Sequence, residues 1–436
     1  MANTHDTLHV LMNGKLTGTL HKRRGGSMSF HYAEPWLAEP AARPISLSLP
    51  LATQVHESEK VYNFFDNLLP DDPMTRRRLQ ARFSLSSSHP FDLLAQIGQD
   101  CIGALQITPA NSDDIDIHAI QATPVSDSDI ANTLKSYQTA PLGMTEETDD
   151  FRISLAGVQE KSAFLYHEGQ WCRPHGTTPT SHIFKLPMGM IAHQQINLAN
   201  SCENEWLCGK IAEAYGLPVA KASIATFADV KVLISERFDR KYADDGSWII
   251  RLPQEDMCQA FGVSSNLKYQ SDGGFGIQKI MGLLRNSSQA SIDRANFFRA
   301  QILFWLLAAI DGHGKNFSIF IEPNGRYRLT PLYDILSVHP LLANRQLEAQ
   351  KIKMAMAIIG SKNHYRWLNG QRRHILNTAN SVGFSPPEAL SLLDDMLEKT
   401  NNVIAKVADE LPNDFPNAIA EPIFKGIQAT ADRLGG

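Results

Sequence analysis

Only five cysteines occur, at 101, 172, 202, 208 and 258, and none stands in a Cys-x-x-Cys pair. An odd, scattered set excludes a disulfide framework and a cysteine zinc site. It reads as the reduced, half-buried thiols of a cytoplasmic protein. Long apolar runs are missing too. The stretch Ile302 to Ile310 covers nine residues, whereas a bilayer span needs about 20. No charged-then-apolar N-terminal segment points to export, so a soluble protein with no membrane partner is expected. Positive charge is not in excess: the net formal charge is −5, which argues against a freestanding nucleic-acid binder. There is no internal repeat, which excludes a solenoid.

What remains is an ordinary globular composition, 43% hydrophobic and 20% charged over 436 residues, long enough for a sizeable core. The first hundred or so residues alternate short strands and turns, as at Leu8–Met12, the turn Asn13-Gly14-Lys15, and Leu16–Leu20. Helices are expected near Phe64–Leu69 and Met74–Phe83. A polar stretch from Ala110 to Asp114 begins a connecting section. Helical periodicity dominates towards the C-terminus, at Ser291–Ile310, Pro387–Asp409 and Pro422–Arg433. These shifts divide the chain into a β-rich subdomain at 1–110, a strand-rich core at 111–250 and a helical lobe at 251–436.

The most informative stretch is Asp311-Gly312-His313-Gly314-Lys315-Asn316, followed by Pro331-Leu332-Tyr333-Asp334. It puts an Asp and an Asn five residues apart in a Gly-rich loop, with a second Asp eighteen residues beyond the Asn. Phosphoryl transfer from ATP needs such a set: a carboxylate to orient a hydroxyl and take its proton, and an amide oxygen and a carboxylate to hold Mg²⁺. The apolar Ile302–Ile310 segment before the loop reads as a core helix. After it, Asn316–Ile321 alternates like a strand, Asn324-Gly325 signals a hairpin, and Tyr327–Leu329 returns. A solvated Gly-rich turn remains the bland alternative for the loop alone.

Upstream, Phe151 to Ala163 reads as a small-residue turn between strands, where backbone N–H groups can approach phosphates. His182-Ile183-Phe184-Lys185 is a short apolar strand whose Lys needs a partner if buried; an edge lysine in water is the alternative. Asn204-Glu205-Trp206-Leu207 opens a helix running to Tyr215 and closed by Gly216. Glu205 can meet Lys185, or can simply be a first-turn carboxylate favoured by the helix dipole. Val232 to Arg240 reads as a buried strand ending in polar residues. It is either a hinge presenting backbone groups to adenine or an ordinary strand end. All these elements fall in protein-kinase order.

With these residues the chain resembles the HipA toxin kinases over essentially its whole length. The resemblance rests on Pro44–Leu51, Phe64-Phe65-Asp66-Asn67-Leu68-Leu69-Pro70, Phe91–Leu94, Ile153–Lys161, Leu252–Gln259 and the Asp311 loop. It implies an α+β, two-lobed, protein-kinase-like fold with an N-terminal β-rich subdomain and a mainly helical C-terminal lobe. It implies a serine/threonine-protein kinase using ATP and Mg²⁺, with Asp311 as catalytic residue and Asn316 and Asp334 as metal ligands. Nucleotide contacts fall on Ala156, Gly157, Val158, Gln159, Glu160, Lys161 and Lys185, on the hinge Glu236, Arg237 and Phe238, and on His313, Lys315, Asn316, Tyr333 and Asp334. Autophosphorylation falls on Ser154. The implied partners are a helix-turn-helix, HipB-like antitoxin homodimer and operator DNA bound within that complex. Glutamyl-tRNA synthetase is the implied protein substrate, and growth arrest the outcome.

Two basic clusters stand apart from this set. Arg76-Arg77-Arg78 reads as a solvated helix face. Lys362, Arg366, Arg372 and Arg373, with His364, His374, Tyr365 and Trp367 among them, are candidates for DNA-phosphate contact, which adds affinity but little sequence information. Two other functional classes are compatible with the motifs: a small-molecule or lipid-type kinase, whose loop shares Asp-x-His-x-x-Asn, and a nucleotide-binding repressor scaffold. The intact Asp311, Asn316 and Asp334 argue against the scaffold.

Overall fold

The computed structural model describes residues 6–110, 117–139, 153–154, 159, 161–191 and 196–436. It is an α+β structure of two compact units, each discontinuous in sequence. The first comprises 1–186, 225–265 and 319–327; the second comprises 187–224, 266–318 and 328–436. Compactness thus groups the chain differently from a division into three consecutive segments, because strands far apart in sequence complete one another's sheets.

Two large sheets stand out in unit 1 among the described residues. The first is antiparallel, in the order Val55–His56, Met28–Tyr32, Lys15–Lys22, Thr7–Met12, Leu105–Pro109. Its first hairpin turns at Asn13 and Gly14, both with positive φ (47° and 76°), which suits the right-handed twist of the paired strands. Leu8, Val10 and Leu20 are buried on one face with Phe64, Phe65, Leu93 and Leu94, contributed by the helices Glu59–Asp66 and Pro90–Ile97. The second sheet runs Ala222–Phe227, Val230–Glu236, His182–Lys185, Lys161–His167, Gln170–Pro174, Ala122–Pro124. Phe164, Phe184, Val232 and Ile234 form its core with Ile130 and Leu134 of the helix Asp127–Thr139.

Unit 2 is built on the helix Ala290–Leu307. Leu303, Trp305, Leu306 and Leu307 are all buried, so the C-terminal half of this helix is covered on every side. The helices Ser201–Ala214, Ile277–Leu284, Pro386–Asp409 and Asn417–Gly435 pack against it. It ends three residues earlier than its composition suggests. Ala308 adopts the left-handed conformation, φ 47° and ψ 43°, at a cost of about 1–2 kcal/mol for a non-glycine residue. The carbonyls this leaves at the helix end are satisfied from a distant segment. Ser337 Oγ donates to Leu307 O at 2.6 Å, His339 Nε2 lies 2.9 Å from Leu306 O, and Val338 N–H donates to Ala308 O at 3.3 Å.

The predicted hairpin forms. Strand Ser318–Ile321, a turn with Asn324 and Gly325 at positive φ, and strand Tyr327–Leu329 are neighbours in a three-stranded sheet with Gln254–Asp256. All four residues of Ser318–Ile321 are buried, so its alternation of polarity does not mark a solvent face. The five cysteines are free and fully buried rather than half-buried. Among the described residues no helix is long and apolar enough to cross a membrane.

Candidate active site

The sharp end of the 290–307 helix delivers the Asp311 loop. Gly312 and Gly314 are needed there for close approach: a Cβ would stand 2.1 Å from the Phe304 ring and 2.4 Å from the Phe275 ring. The chain then makes one 3-10 turn at Gly314–Asn316 before the next strand. That turn brings the Asn316 side chain back onto the loop, where Nδ2 donates to Asp311 O at 2.6 Å. The bond fixes which end of the amide faces away, leaving Oδ1 as the available ligand atom.

Asp311 is 52% exposed, with Oδ1 3.7 Å from His313 Nε2. His313 itself is buried; burial lowers its imidazole below the usual range, so it is neutral at pH 7. Tyr333 anchors the second acidic segment. Its hydroxyl donates to Lys315 O at 2.8 Å and lies 2.6 Å from Ser318 Oγ. Leu332 forms a parallel bridge with Val219. Asp334 follows with φ 60°, a left-handed conformation that Asp tolerates better than most residues. Asp311, His313, Lys315, Asn316, Tyr333 and Asp334 are therefore brought together within unit 2. An amide oxygen and a carboxylate form a hard donor set suited to Mg²⁺, which completes its shell with phosphate and water.

The other nucleotide-contact candidates lie in unit 1. Lys185 is buried, 7% exposed, and its register partner on the neighbouring antiparallel strand is Lys161. Gln159 Nε2 donates to Leu186 O at 2.6 Å, fixing the start of the Lys161 strand next to the end of the Lys185 strand. Ile153–Ser154 pairs in parallel with Asp100–Cys101, Ser154 opposite Cys101. Ala156, Gly157, Val158 and Glu160 lie outside the described residues. Glu205 is buried on the 201–214 helix of unit 2.

At the proposed hinge, Glu236 ends its strand and the Phe238 ring meets Phe320 edge-on at 5.8 Å. The Arg237 side chain is buried. Its guanidinium donates to Asp239, Asp100, Thr180 Oγ1 and Cys101 O, which engages its N–H groups and fixes the strand end. Arg240 joins the same buried cluster, bonding Asp100 and Cys101 O. Burial works to raise the Asp100 carboxyl, but Arg237, Arg240 and Arg251 outweigh it and hold it well below the usual carboxylate range.

In the basic clusters, Arg76 pairs with Asp66 and donates to Pro70 O, so it is structural. Lys362, Arg366 and Arg373 are exposed. Arg372 pairs with Asp394, and Trp367 is buried with Nε1 donating to Trp305 O.

Two site residues were not visible in the sequence as such. Asn204 bonds the main chain of Ser337, three residues after Asp334. The Tyr269 hydroxyl donates to Asp311 Oδ1. Neither carries a local signal, because each partner is distant in sequence.

The chain matches the HipA-like C-terminal domain over residues 153–404 and the HipA N-terminal domain over 8–108. The Y4mE protein of Sinorhizobium fredii is 33% identical over 334 residues, 76% of this chain and 77% of that one. The serine/threonine-protein kinase toxin HipA of Shewanella oneidensis is 28% identical over 323 residues, 72% and 70% of the two chains. The solved complex of Shewanella oneidensis HipA, HipB and operator DNA contains a chain with 23% identity and a TM-score of 0.80. The match covers 98% of this chain and 97% of that chain, and at that identity it is a likeness of fold.

Proposed function

This chain belongs to the HipA family of kinase toxins, and from that premise we propose an ATP- and Mg²⁺-dependent serine/threonine-protein kinase that acts as the toxin of a type II toxin–antitoxin pair. The observation that carries the chemistry is the Asn316–Asp311 hydrogen bond. One short loop thereby holds both a proton-accepting carboxylate and a correctly turned amide oxygen. The substrate hydroxyl oxygen attacks the γ-phosphorus as its proton passes to the Asp311 carboxylate. The bond to the β–γ bridging oxygen breaks, and ADP leaves with that electron pair. Asn316 and Asp334 would hold Mg²⁺, which would neutralise charge on the phosphates. Lys161 and Lys185, opposite one another in register, supply positive charge for the phosphates. Glu236 and Phe238 serve the adenine side.

On this reading Ser154 is the site of inactivating autophosphorylation. A HipB-like antitoxin restrains the enzyme, and the exposed Lys362, Arg366 and Arg373 contact operator phosphates within that complex. Glutamyl-tRNA synthetase is the protein target to test first, on the strength of the family alone. The test is transfer from γ-labelled ATP into the protein and into a cell lysate. Label on polypeptide that Asp311→Asn reduces about a hundredfold or more supports the reading. Label found only on small molecules, or undiminished transfer by the variant, overturns it.

A further inference from the structure

The two oxygens of the Asp311 carboxylate are in different circumstances. Oδ1 accepts a hydrogen bond from the Tyr269 hydroxyl and lies 3.7 Å from His313 Nε2. Among the described residues none donates to Oδ2, on a side chain that is 52% exposed. Tyr269 is not loosely placed. On one side of it, Gly314 N–H donates to Lys268 O at 3.1 Å. On the other, Ala357 N–H donates to Gln270 Oε1 at 2.8 Å. Its ring meets the buried His313 imidazole edge-on, with centroids 4.9 Å apart and an interplanar angle of 87°. The segment carrying the phenol is therefore pinned to the catalytic loop by the backbone on one flank and to the strand Lys353–Ile359 by the Gln270 side chain on the other.

We propose that Tyr269 is the positioning residue of the catalytic base: by holding Oδ1 it fixes the Asp311 rotamer and turns Oδ2 towards the hydroxyl that is to be phosphorylated. An exposed aspartate without such a partner turns freely between rotamers, and a base is effective only when a third group orients it. A phenol is suited to this task. It is a single donor on a rigid ring, neutral at working pH, and adds no charge beside the phosphates. Tyr269 acts through Asp311 and does not itself exchange a proton with substrate. The inference rests on Asp311 being the base.

The experiment is a double-mutant cycle on the full chain with Tyr269→Phe, Asp311→Asn and the double variant. Single-turnover reactions with γ-labelled ATP count label both on protein and as released inorganic phosphate, and calorimetry with Mg²⁺ and ATP gives nucleotide affinity. Tyr269→Phe should lower the transfer rate about ten- to a hundredfold while ATP affinity stays within about twofold, and should have no further effect in the Asp311→Asn background. A wild-type or faster rate for Tyr269→Phe overturns the proposal; a faster one would mean that the phenol occupies the acceptor's place. An equal fall in both backgrounds also overturns it, since that marks a purely structural role. If Asp311→Asn itself keeps the wild-type rate, the assignment of the base fails first, and the two failures are distinguishable.

Discussion

Asn204 and Ser337 close a ring of two hydrogen bonds. Asn204 Nδ2 donates to Ser337 O at 2.7 Å, and Ser337 N–H donates to Asn204 Oδ1 at 2.8 Å. The amide side chain thus serves Ser337 as a strand partner would. The Ser337 hydroxyl meanwhile donates to Leu307 O. The segment following Asp334 is therefore tied to the 201–214 helix and to the end of the helix preceding Asp311. One clamp sets the spacing between Asp311 and Asp334.

Asn204→Leu leaves a buried N–H and C=O of Ser337 unpaired. The expected loss is about 2–4 kcal/mol of stability, read by urea denaturation. The Mg²⁺ concentration giving half-maximal transfer should also rise, because Asp334 loses its fixed position. An unchanged Mg²⁺ dependence in folded variant would confine the clamp to stability.

Metal binding should fall in a set order. Asp334→Ala removes a charge and Asn316→Ala only a dipole, so the first should weaken Mg²⁺-dependent ATP binding more. Calorimetric titration with and without Mg²⁺ checks this. The reverse order would count against the ligand assignment.

Phosphate on Ser154 should inactivate the enzyme. A phosphoserine carries about −1.5 to −2 charges at neutral pH, and Ser154 lies within the strand pairing with Asp100–Cys101, at the head of the small-residue turn assigned to the ATP phosphates. Like-charge repulsion should then lower ATP affinity. Mass spectrometry should find the phosphate in wild type and not in Asp311→Asn, and phosphorylated protein with undiminished ATP affinity would end the idea.

Glu255 should make stability fall with rising pH. Burial pushes its carboxyl up to about 8, against the opposing bonds from Leu47 N–H and Ser46; Asp256 raises it further. Oε1 accepts the Leu47 N–H at 2.8 Å, while Oε2 has no hydrogen-bond partner. The folded state favours the protonated form, so this contribution is fully present below about pH 4.5 and is lost as pH rises through about 8. Melting profiles from pH 5 to 9 should decline more steeply for wild type than for Glu255→Gln, which stays neutral. The difference by pH 9 should be on the order of a few kcal/mol. Parallel profiles would place the ionisation elsewhere.

The loop geometry was legible in the sequence because it is local. Asp311 and Asn316 are separated by one short turn, and the bond between them forms wherever that turn forms. The hairpin at Asn324-Gly325 was legible for the same reason, since turn residues act on their immediate neighbours, and the helix Pro386–Asp409 was legible from its periodicity. The helix before the loop was legible in kind but not in length, since an apolar run carries no stop signal. Its end at Leu307 is decided by Ser337, Val338 and His339. The cysteines show the same limit: spacing established that they are unpaired, and only packing buried all five.

By itself the sequence determined the kinase order of the elements and the loop that holds Asp311 and Asn316, because those follow from residue type and short spacing. Tertiary structure alone decided that Tyr269 meets Asp311, that Asn204 clamps Ser337, and that Arg237 belongs to a buried ion cluster. These contacts join residues whose separation in the chain bears no relation to their separation in space. Which donor reaches which acceptor is settled only when packing has closed the intervening loops.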